Sequence, residues 1–404
     1  MMVRAVFIGD DFTGASDTLA SFARAGWRAR LFLDAPDPAA CEGFDVVGIA
    51  TALRAMGPDE AAGVIGGLWP SIAALSPEIL HFKVCSTFDS SPAIGSIGAV
   101  ALDLERRFRP DHLAVIGGQP SLGRHCVFGT LFARGPDGAV HRLDRHPVMA
   151  HHPVTPMGEA DLRRLLARQG LDDLALVTAG ETPALPLRAL FDASRAEDID
   201  WIARHLNPLP GRKLLIGASS VAEVLTQGET PAAIAPPPPP PHPGVLLFAG
   251  SRSPLTRQQV AAADGFDTLR LSANDLHAPE TLVAAARARL EQGKAVLIHT
   301  DPDEDYGLSP DALAHRGARI LRAIVEASPV GWLGVAGGDT SSRICTELGF
   351  SAIDTIGALA PGVSLCGASH AAPERDGMRL MLKGGQMGGS DLFNQFLAVA
   401  RGSA

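Results

Sequence analysis

The chain has 404 residues, of which 46% are hydrophobic and 20% are charged, so it can bury a sizeable core and is long enough for two or three domains. Its formal net charge of -9 argues against a nucleic acid or an acidic membrane as a partner. The five cysteines include no C-x-x-C pair, so we expect neither a disulfide framework nor a cysteine zinc site. We find no apolar run long enough for an export signal or a membrane span, and we expect a cytoplasmic protein.

The first half of the chain alternates short apolar segments with helical segments. In chain order the apolar segments are AVFIG, ARLFL, DVVGIA, ILHF, HLAVIGG, LALVTAG and KLLIGAS. Strands that are apolar on both faces and alternate with helices are typical of a parallel sheet covered on both sides. Residues 1–230 are therefore predicted to form one α/β domain.

Polar and charged side chains follow several of these segments, at the edge where open α/β sheets bind their ligands. They are Asp10 and Asp11 after AVFIG, Arg54 after DVVGIA, Lys83, Ser86 and Thr87 after ILHF, and Arg124 after HLAVIGG. Arginine and lysine pair with carboxylates, whereas serine, threonine and aspartate form hydrogen bonds with hydroxyl groups. The set therefore predicts a site for a small hydroxylated acid.

Plainer interpretations exist for several of these residues. Arg54 could equally be a solvated loop charge, and Ser86 and Thr87 could be turn or cap residues. Asp10 and Asp11 could be a helix N-cap plus a first-turn acid. Capping explains one carboxylate but not both, because adjacent like charges repel each other unless a cation compensates them. We therefore predict that cations lie beside the aspartate pair.

The segment PPPPPPHPG, from Pro236 to Gly244, marks the clearest boundary in the chain. Consecutive prolines join neither a helix nor a central strand, and they form a stiff, extended spacer. We place a linker at residues 231–243 and a second domain at residues 244–404.

The second domain repeats the alternation, with GVLLFAG, DTLRL, AVLIHT, WLGVAGG and RLMLKGG as its strands. Between two of them, Leu282, Ala286 and Leu290 recur at helical spacing, and Gly293 supplies a stop. The predicted fold class is therefore α/β, with two α/β domains whose sheets are mostly parallel.

Three strand ends of the second domain are rich in glycine and hydroxyl groups. They are residues 250–253 before a helix that starts at Pro254, residues 337–340 ahead of a helix that ends at Gly349, and residues 383–389 with Ser390 capping the last helix. Glycine lets the backbone approach an anion closely. One such loop is more simply a tight turn, but three together favour an anionic ligand, most simply a nucleotide. Neither a Walker A motif nor a strand-borne G-x-G-x-x-G is present.

Eight short motifs occur in order across nearly the whole chain. They are GDDFTGASD, KVCSTFDS, Gly123-Arg124, HPVTPM, GSRSPLT, AGGDT, PGVS and LKGGQMGG. Together they resemble the four-carbon acid sugar kinase family, which includes kinases for threonate, erythronate, 3-oxo-tetronate and 3-oxo-isoapionate. The resemblance implies an N-terminal domain that binds the sugar acid and a C-terminal domain that binds ATP. It also implies an active site in the cleft between them, where a terminal hydroxyl is phosphorylated.

The resemblance also assigns site residues. It implies that the sugar acid contacts Asp10, Asp11, Arg54, Lys83, Ser86 and Thr87. It implies that the nucleotide contacts Ser251, Ser253, Gly338, Asp339, Thr340, Pro361, Gly362, Val363, Ser364, Gly384, Gly385 and Gly388. In such a kinase, one aspartate would orient the acceptor hydroxyl or take its proton, while Arg54 and Lys83 hold the substrate carboxylate. Asp339 would help to bind Mg²⁺ together with the phosphates.

The segment CSTFDS, residues 85–90, resembles the 3-oxo-tetronate branch of the family. We therefore expect 3-oxo-tetronate as the substrate, with threonate, erythronate or 3-oxo-isoapionate as alternatives. Two interpretations of other classes stay open, a non-catalytic sensor of sugar acids and a hydroxy-acid dehydrogenase without the usual fingerprint. The sequence leaves open which aspartate is the base and how many subunits assemble; a homodimer is one assembly that we consider.

Overall fold

The structure is a computed structural model. It describes residues 3–135, 137–152, 154–180, 185–229, 238–360, 362–385 and 387–402, without the side chain of Asp339. Pro361 and residues 231–237 of the predicted linker therefore lie outside the described residues. The chain divides into two compact units, Met1–Ala233 and Ile234–Ala404.

The first unit is built on a parallel sheet. Its strands are β1 (Ala5–Gly9), β2 (Ala29–Phe32), β3 (Val46–Ala50), β4 (Ile79–Lys83), β5 (His112–Gly117), β6 (Arg124–Val127), β7 (Thr130–Arg134), β8 (Val140–Arg142), β9 (Ala175–Val177), β10 (Arg188–Asp192) and β11 (Lys213–Gly217). The main sheet has the order β2-β3-β1-β4-β11-β5-β10-β9, and all these pairings are parallel. Strands β6, β7 and β8 form a small antiparallel sheet.

Helices connect the parallel strands of the first unit. They are α1 (Phe12–Arg24), α2 (Pro58–Leu75), α3 (Ile97–Phe108), α4 (Leu162–Ala167), α5 (Ala196–Leu206) and α6 (Ser220–Leu225), with 3-10 helices at Pro38–Cys41, Leu53–Ala55, Pro120–Leu122, Leu143–Arg145 and Met149–His151. Every residue of β1 and β11 is buried, as expected for parallel strands that are covered on both faces.

The second unit is a mixed α/β fold. Its strands are β12 (Gly244–Ala249), β13 (Phe266–Leu271), β14 (Ala295–Thr300), β15 (Val330–Ala336), β16 (Ala352–Ala360), β17 (Val363–Ser369) and β18 (Arg379–Lys383), and its helices are α7 (Pro254–Ala261), α8 (Glu280–Glu291), α9 (Pro310–Ala327), α10 (Gly338–Glu347) and α11 (Leu392–Ala400), with a 3-10 helix at Asn274–Leu276. The strand order is β13-β14-β12-β15-β18-β17-β16. The pairings are parallel as far as β18, and β17 and β16 add an antiparallel edge.

The predicted fold class of two α/β domains with mostly parallel sheets is confirmed. Helix α7 starts at Pro254 and α8 ends just before Gly293, as predicted. Two local predictions are wrong. Residues 338–340 lie inside the first turn of α10 rather than ahead of it, and the N-cap of α11 is Asp391 rather than Ser390. None of the described helices is long and apolar enough to cross a membrane.

Candidate functional site

The carboxyl ends of three neighbouring strands in the first unit are aligned. Gly9 of β1 lies beside Ala50 of β3 on one side and Lys83 of β4 on the other. The chain stays in register past the strand ends, because the Asp10 amide donates to the Lys83 carbonyl at 2.9 Å and the Arg54 amide donates to the Asp10 carbonyl at 3.0 Å. The predicted acids and cations of three separate segments therefore meet at one edge of the sheet.

Arg54 holds both aspartates of the pair. Its Nε and Nη2 donate to the Asp10 carboxylate at 3.1 and 2.7 Å, and its Nη1 and Nη2 donate to the Asp11 carboxylate at 3.0 and 2.9 Å. A guanidinium has five N–H donors, so one remains for another partner. One guanidinium therefore offsets much of the repulsion between the two carboxylates, and Arg54 is a partner of the acids rather than a solvated loop charge.

The two aspartates have different surroundings. Asp11 is the N-cap of α1, and its Oδ1 accepts from the Gly14 amide at 3.0 Å. Asp10 precedes the cap, so the pair is not an N-cap plus a first-turn acid. The Asp10 side chain is only 6% exposed, whereas that of Asp11 is 30% exposed. Burial raises the pKa of Asp10, and Arg54 opposes that shift.

Lys83 is buried beside the start of α1. Its Nζ donates to the Val84 carbonyl at 2.8 Å, and a Cβ atom at Gly14 would lie only 2.6 Å from it. Among the described residues, Lys83 has no carboxylate within ion-pair distance. A buried ammonium with one neutral acceptor retains donors for an anionic ligand.

The segment after β4 supplies both structural and accessible polar groups. The buried Thr87 hydroxyl donates to Asp89 at 2.7 Å and lies 3.0 Å from the Cys85 sulfur, so Thr87 shapes the turn. Ser86 is half-buried, and in the described part of the chain its hydroxyl forms no hydrogen bond. Burial raises the pKa of Cys85 to about 11, which keeps this thiol neutral. Ser86 is therefore the hydroxyl of this pair that is available to a ligand.

Arg124 is brought to the same edge by a turn after β5. The backbone groups of Gln119 and Arg124 pair with each other at 2.9 and 3.1 Å across a short 3-10 helix. Nη1 of Arg124 donates to the Leu122 carbonyl, whereas its buried Nε has no partner among the described residues. Burial lowers the pKa of Arg124, and the nearby Cys85 opposes that shift.

In the second unit, four strand ends surround a cavity. Ala249 of β12 lies between His299 of β14 and Ala336 of β15, which in turn lies beside Lys383 of β18. The cavity has a volume of about 400 Å³. Its lining consists of Phe248, Gly250, Ser251, Arg252, Thr300, Leu308, Pro310, Leu313, Ala314, Gly337, Gly338, Thr340 and Gly385. One part of this lining consists of aliphatic side chains, and the other consists of glycine backbone and hydroxyl groups.

Helix α10 begins at this cavity. Its N-cap, Gly337, has φ of +134° and no side chain to satisfy the first-turn amides, which is a conformation that favours glycine. Helix N-terminal amides attract anions. Gly338 and Thr340 line the cavity, and the side chain of Asp339 lies outside the described residues.

The β16–β17 turn lies beside the end of β18. Val363 pairs with Lys383, and Ser364 pairs with Leu382. Gly362 has φ of +72°, and a Cβ atom there would meet the Met387 side chain at 2.9 Å. Gly362, Val363 and Ser364 therefore lie at the same edge as the glycine loop, while Pro361 falls outside the described residues.

Ser251 and Ser253 have different roles in the structure. Ser251 lines the cavity, and its amide donates to the Ala336 carbonyl at 2.9 Å. Ser253 is the N-cap of α7, and its hydroxyl donates to the Gly385 carbonyl at 2.5 Å. Ser253 lines a second cavity of about 240 Å³, which also contacts Ser251 and Thr300.

Several residues at these sites were missed at the sequence level. Thr300 ends the AVLIHT strand, so the strand-end rule could have found it. Leu308 and Leu313 carry no chemical signal, because only the fold brings them to the cavity. Lys383 lies in the predicted loop of residues 383–389, but no function was predicted for it from the sequence. Its side chain is almost fully buried, at 1% exposure.

Comparison with known proteins identifies the class. A model of a sugar-binding N-terminal domain matches residues 5–225, and a model of a nucleotide-binding C-terminal domain matches residues 246–393. The chain belongs to the four-carbon acid sugar kinase family.

Relatives of known name match along almost the full chain. A 3-oxo-isoapionate kinase from Paraburkholderia graminis is 35% identical, with 96% of this chain and 92% of the relative covered. A 3-oxo-tetronate kinase from Methylobacterium radiotolerans is 33% identical, with 96% and 97% covered. A D-erythronate kinase from Heliobacterium modesticaldum is 27% identical, with 96% and 95% covered.

The fold also matches solved structures. A Haemophilus influenzae protein of the DUF1537 family superposes with a TM-score of 0.76 at 23% identity, covering 98% of this chain and 100% of that protein. A Salmonella typhimurium LT2 protein superposes with a TM-score of 0.79 at 24% identity, covering 98% of both chains. At this level of identity, the likeness shows a shared fold.

Proposed function

We propose that this protein is an ATP-dependent kinase that phosphorylates a terminal hydroxyl of a four-carbon acid sugar. The observation that carries the proposal is the cluster of Asp10, Asp11 and Arg54 at the strand ends of the unit that matches a sugar-binding domain. Two carboxylates held by one guanidinium leave acceptor atoms for hydroxyl groups, and the nearby Lys83 and Arg124 offer donors for a carboxylate. The cluster thus suits an acid that also carries hydroxyl groups.

Within this proposal, Asp11 contacts the acceptor hydroxyl. Its side chain is more exposed than that of Asp10, and Arg54 fixes its orientation through two hydrogen bonds. Asp11 would orient the hydroxyl or take its proton, as the carboxylate does in other phosphoryl transfers. Asp10 would hold Arg54 in place from the buried side.

The substrate carboxylate would be bound mainly by Lys83 and Arg124. Arg54 already uses four of its donors on the two aspartates, so it can add only one hydrogen bond. Arg124 Nε has no partner within the described ranges, and the half-buried Ser86 can bond to a substrate hydroxyl. This assignment moves the main carboxylate contact away from Arg54.

ATP would occupy the cavity of the second unit. The aliphatic wall at Leu308, Pro310 and Leu313 suits a nucleobase, and the glycine turns at residues 337–338 and 384–385 suit the phosphates. Phosphoryl transfer requires positioning and charge neutralisation more than covalent chemistry. The reaction itself would bring the acceptor hydroxyl held by the first unit to the terminal phosphate held by the second.

Magnesium is the metal that fits such a site. In the ranges that the structure describes, no three His, Cys, Asp or Glu side chains form a metal-binding group. Magnesium in nucleotide sites keeps several waters and uses one or two carboxylates besides the phosphates, so a single acid at the start of α10, Asp339, is sufficient. Bound Mg²⁺ would neutralise phosphate charge.

The proposed acceptor is 3-oxo-tetronate, on the resemblance of residues 85–90 to that branch. The alternative acceptor is 3-oxo-isoapionate, which the 35% identity to a kinase of that name favours. A cytoplasmic location and a homodimeric assembly are also part of the proposal.

A coupled ADP-release screen tests the proposal. Purified protein with ATP and Mg²⁺ would be offered threonate, erythronate, their 3-oxo forms and 3-oxo-isoapionate, and the product of any hit would be checked by mass spectrometry for one added phosphoryl group. We expect turnover with one of the 3-oxo acids and little ADP release without an acceptor. Binding of a sugar acid without any nucleotide binding or turnover would instead support the sensor, and reduction of NAD by a hydroxy acid would support the dehydrogenase.

A further inference from the structure

In the loop after β18, the carbonyl groups and the amide groups differ in their hydrogen bonding. The carbonyl groups of Gly385, Met387 and Gly389 accept hydrogen bonds from side chains that lie beneath the loop. The Gly385 carbonyl accepts from Ser253 Oγ at 2.5 Å, Thr256 Oγ1 at 3.1 Å and Lys383 Nζ at 3.5 Å. In contrast, the amides of Gly385, Gly388 and Gly389 donate to no acceptor within the described part of the chain.

Gln259 of α7 is the second anchor of this loop. Its Nε2 donates to the Met387 carbonyl at 3.1 Å and to the Gly389 carbonyl at 2.8 Å. Its Oε1 accepts from Lys383 Nζ at 2.8 Å. One buried amide side chain therefore holds two loop carbonyls and the lysine at the same time, and Gln259 is 0% exposed.

Lys383 brings a positive charge to the base of the loop without an acidic partner. Its described hydrogen-bond partners are Thr256, Gln259 and the Gly385 carbonyl, which are all neutral. The Phe393 ring centroid lies 6.0 Å from Nζ. Burial lowers the pKa of Lys383 to about 8, and an anion bound above the loop would favour the charged form.

We propose that Gln259 and Lys383 are positioning residues that hold the carbonyls of Gly385, Met387 and Gly389 inward, so that the amides of Gly385, Gly388 and Gly389 and the lysine charge are presented to the phosphate groups of a nucleotide. The inference rests on the proposed nucleotide site and deepens it, because it assigns phosphate recognition to two buried residues. It follows from the geometry: carbonyls that already accept from side chains beneath the loop turn away from a ligand and leave the neighbouring amides to meet it, and an anion requires donors.

The test is Gln259→Glu in the full chain, measured by calorimetric titration with ADP and with adenosine. The substitution keeps the size of the side chain and the acceptor for Lys383, but it replaces the donor to two carbonyls with a carboxylate oxygen. We expect ADP to bind at least 10-fold more weakly, and adenosine, which has no phosphate, to change by less than about threefold. Gln258→Glu is the matched control, because it adds the same charge on the exposed face of the same helix.

Lys383→Met provides a second test if the first variant folds poorly. It removes the charge and three hydrogen bonds, and it should weaken ADP at least 10-fold while adenosine binding is retained. Unchanged ADP affinity in Gln259→Glu, or an equal loss for ADP and adenosine in either variant, would overturn the inference. A wild-type protein that binds neither ADP nor adenosine would instead refute the proposed nucleotide site itself.

Discussion

Asp10 and Asp11 show how adjacent residues of one type can take separate tasks. Both bind Arg54, but Asp10 is buried and Asp11 caps α1 with its side chain partly open. The roles differ because the chain turns from strand to helix between them. The exposed member can meet a substrate, whereas the buried member can act only through Arg54.

We expect Asp11→Asn to lower kcat by about 100- to 10,000-fold, the range typical of a general base. Stability should change little, because asparagine caps helices as well as aspartate does. ADP affinity, measured by titration, should equal that of the wild type. Asp10→Asn is the companion variant, and a larger kcat loss there than in Asp11→Asn would reassign the base to Asp10.

His81 makes the stability of the first unit sensitive to acid. It is fully buried on β4, its Nδ1 lies 3.1 Å from the Leu215 carbonyl, and its Nε2 has no partner in the described residues. Burial lowers its pKa to about 3. Between pH 6.5 and 3, the unfolded chain therefore binds a proton that the folded protein does not, so stability falls as the pH falls.

We expect this histidine to account for a loss on the order of 5 kcal/mol of unfolding free energy across that window. His81→Asn keeps a donor near the Leu215 carbonyl but does not titrate. The variant should be less stable at pH 7.5, because it leaves a cavity, yet lose less stability than the wild type between pH 6.5 and 4.5. Urea unfolding at several pH values measures how steeply the free energy of unfolding depends on pH in each protein. An equal pH dependence in the variant and the wild type would contradict the role of His81.

At the scale of elements, the start of α1 joins two parts of the candidate site. Gly14 lies in the first turn, where a Cβ atom would press against the Asp11 carboxylate and lie 2.6 Å from Lys83 Nζ. Both groups are the ends of side chains and can shift, although Asp11 would weaken its hydrogen bonds with Arg54 and with the Gly14 amide. A side chain at this position would therefore disturb function more than folding.

We expect Gly14→Ala to raise the KM for the sugar acid at least 10-fold, because it displaces Lys83 and Asp11 together. Its free energy of unfolding should stay within about 1 kcal/mol of the wild type, since alanine favours a helix over glycine by a similar amount. The matched control is Gly63→Ala on α2, where a Cβ atom meets nothing within 4 Å. That control should leave KM unchanged, and an equal KM in both variants would argue against the role of Gly14.

An element could be predicted from the sequence when its signal lies in contiguous residues. Most of the parallel strands and α8 were predicted because their apolar period and glycine stop are contiguous, but the parallel strand β10 was missed. The antiparallel pair β16–β17 was missed. A regular alternation of helices and strands predicts a parallel sheet and gives no sign of antiparallel strands at its edge. The start of α10 was placed too late, because Gly337 caps that helix without a side-chain signal.

At the scale of the whole molecule, each unit has its own candidate ligand site at the carboxyl ends of its strands. The first collects acids and cations, and the second collects glycines and hydroxyl groups at the carboxyl ends of its strands. This division matches the two domain models that cover the chain. We therefore expect each ligand to protect backbone amides in its own unit.

Hydrogen exchange of the intact protein, followed by mass spectrometry, measures this protection. ADP should slow exchange in residues 250–253, 337–341 and 384–389, and the sugar acid should slow it in residues 9–14, 51–54 and 83–90. Ligand binding stabilises the closed form of the segments that it contacts, so protection reports the site. Protection by the sugar acid confined to residues 244–402 would contradict the assignment of the first unit.

The sequence by itself determined the alternation of strands and helices, the glycine loops and the family, because each depends on residues that are close along the chain or on motifs in fixed order. Only the tertiary structure decided which cation pairs with the two aspartates. Arg54 lies more than 40 residues from the aspartates, and it reaches them because β3 pairs with β1. Likewise Gln259 and Lys383 meet only because α7 packs beneath the loop that follows β18, which no local pattern records.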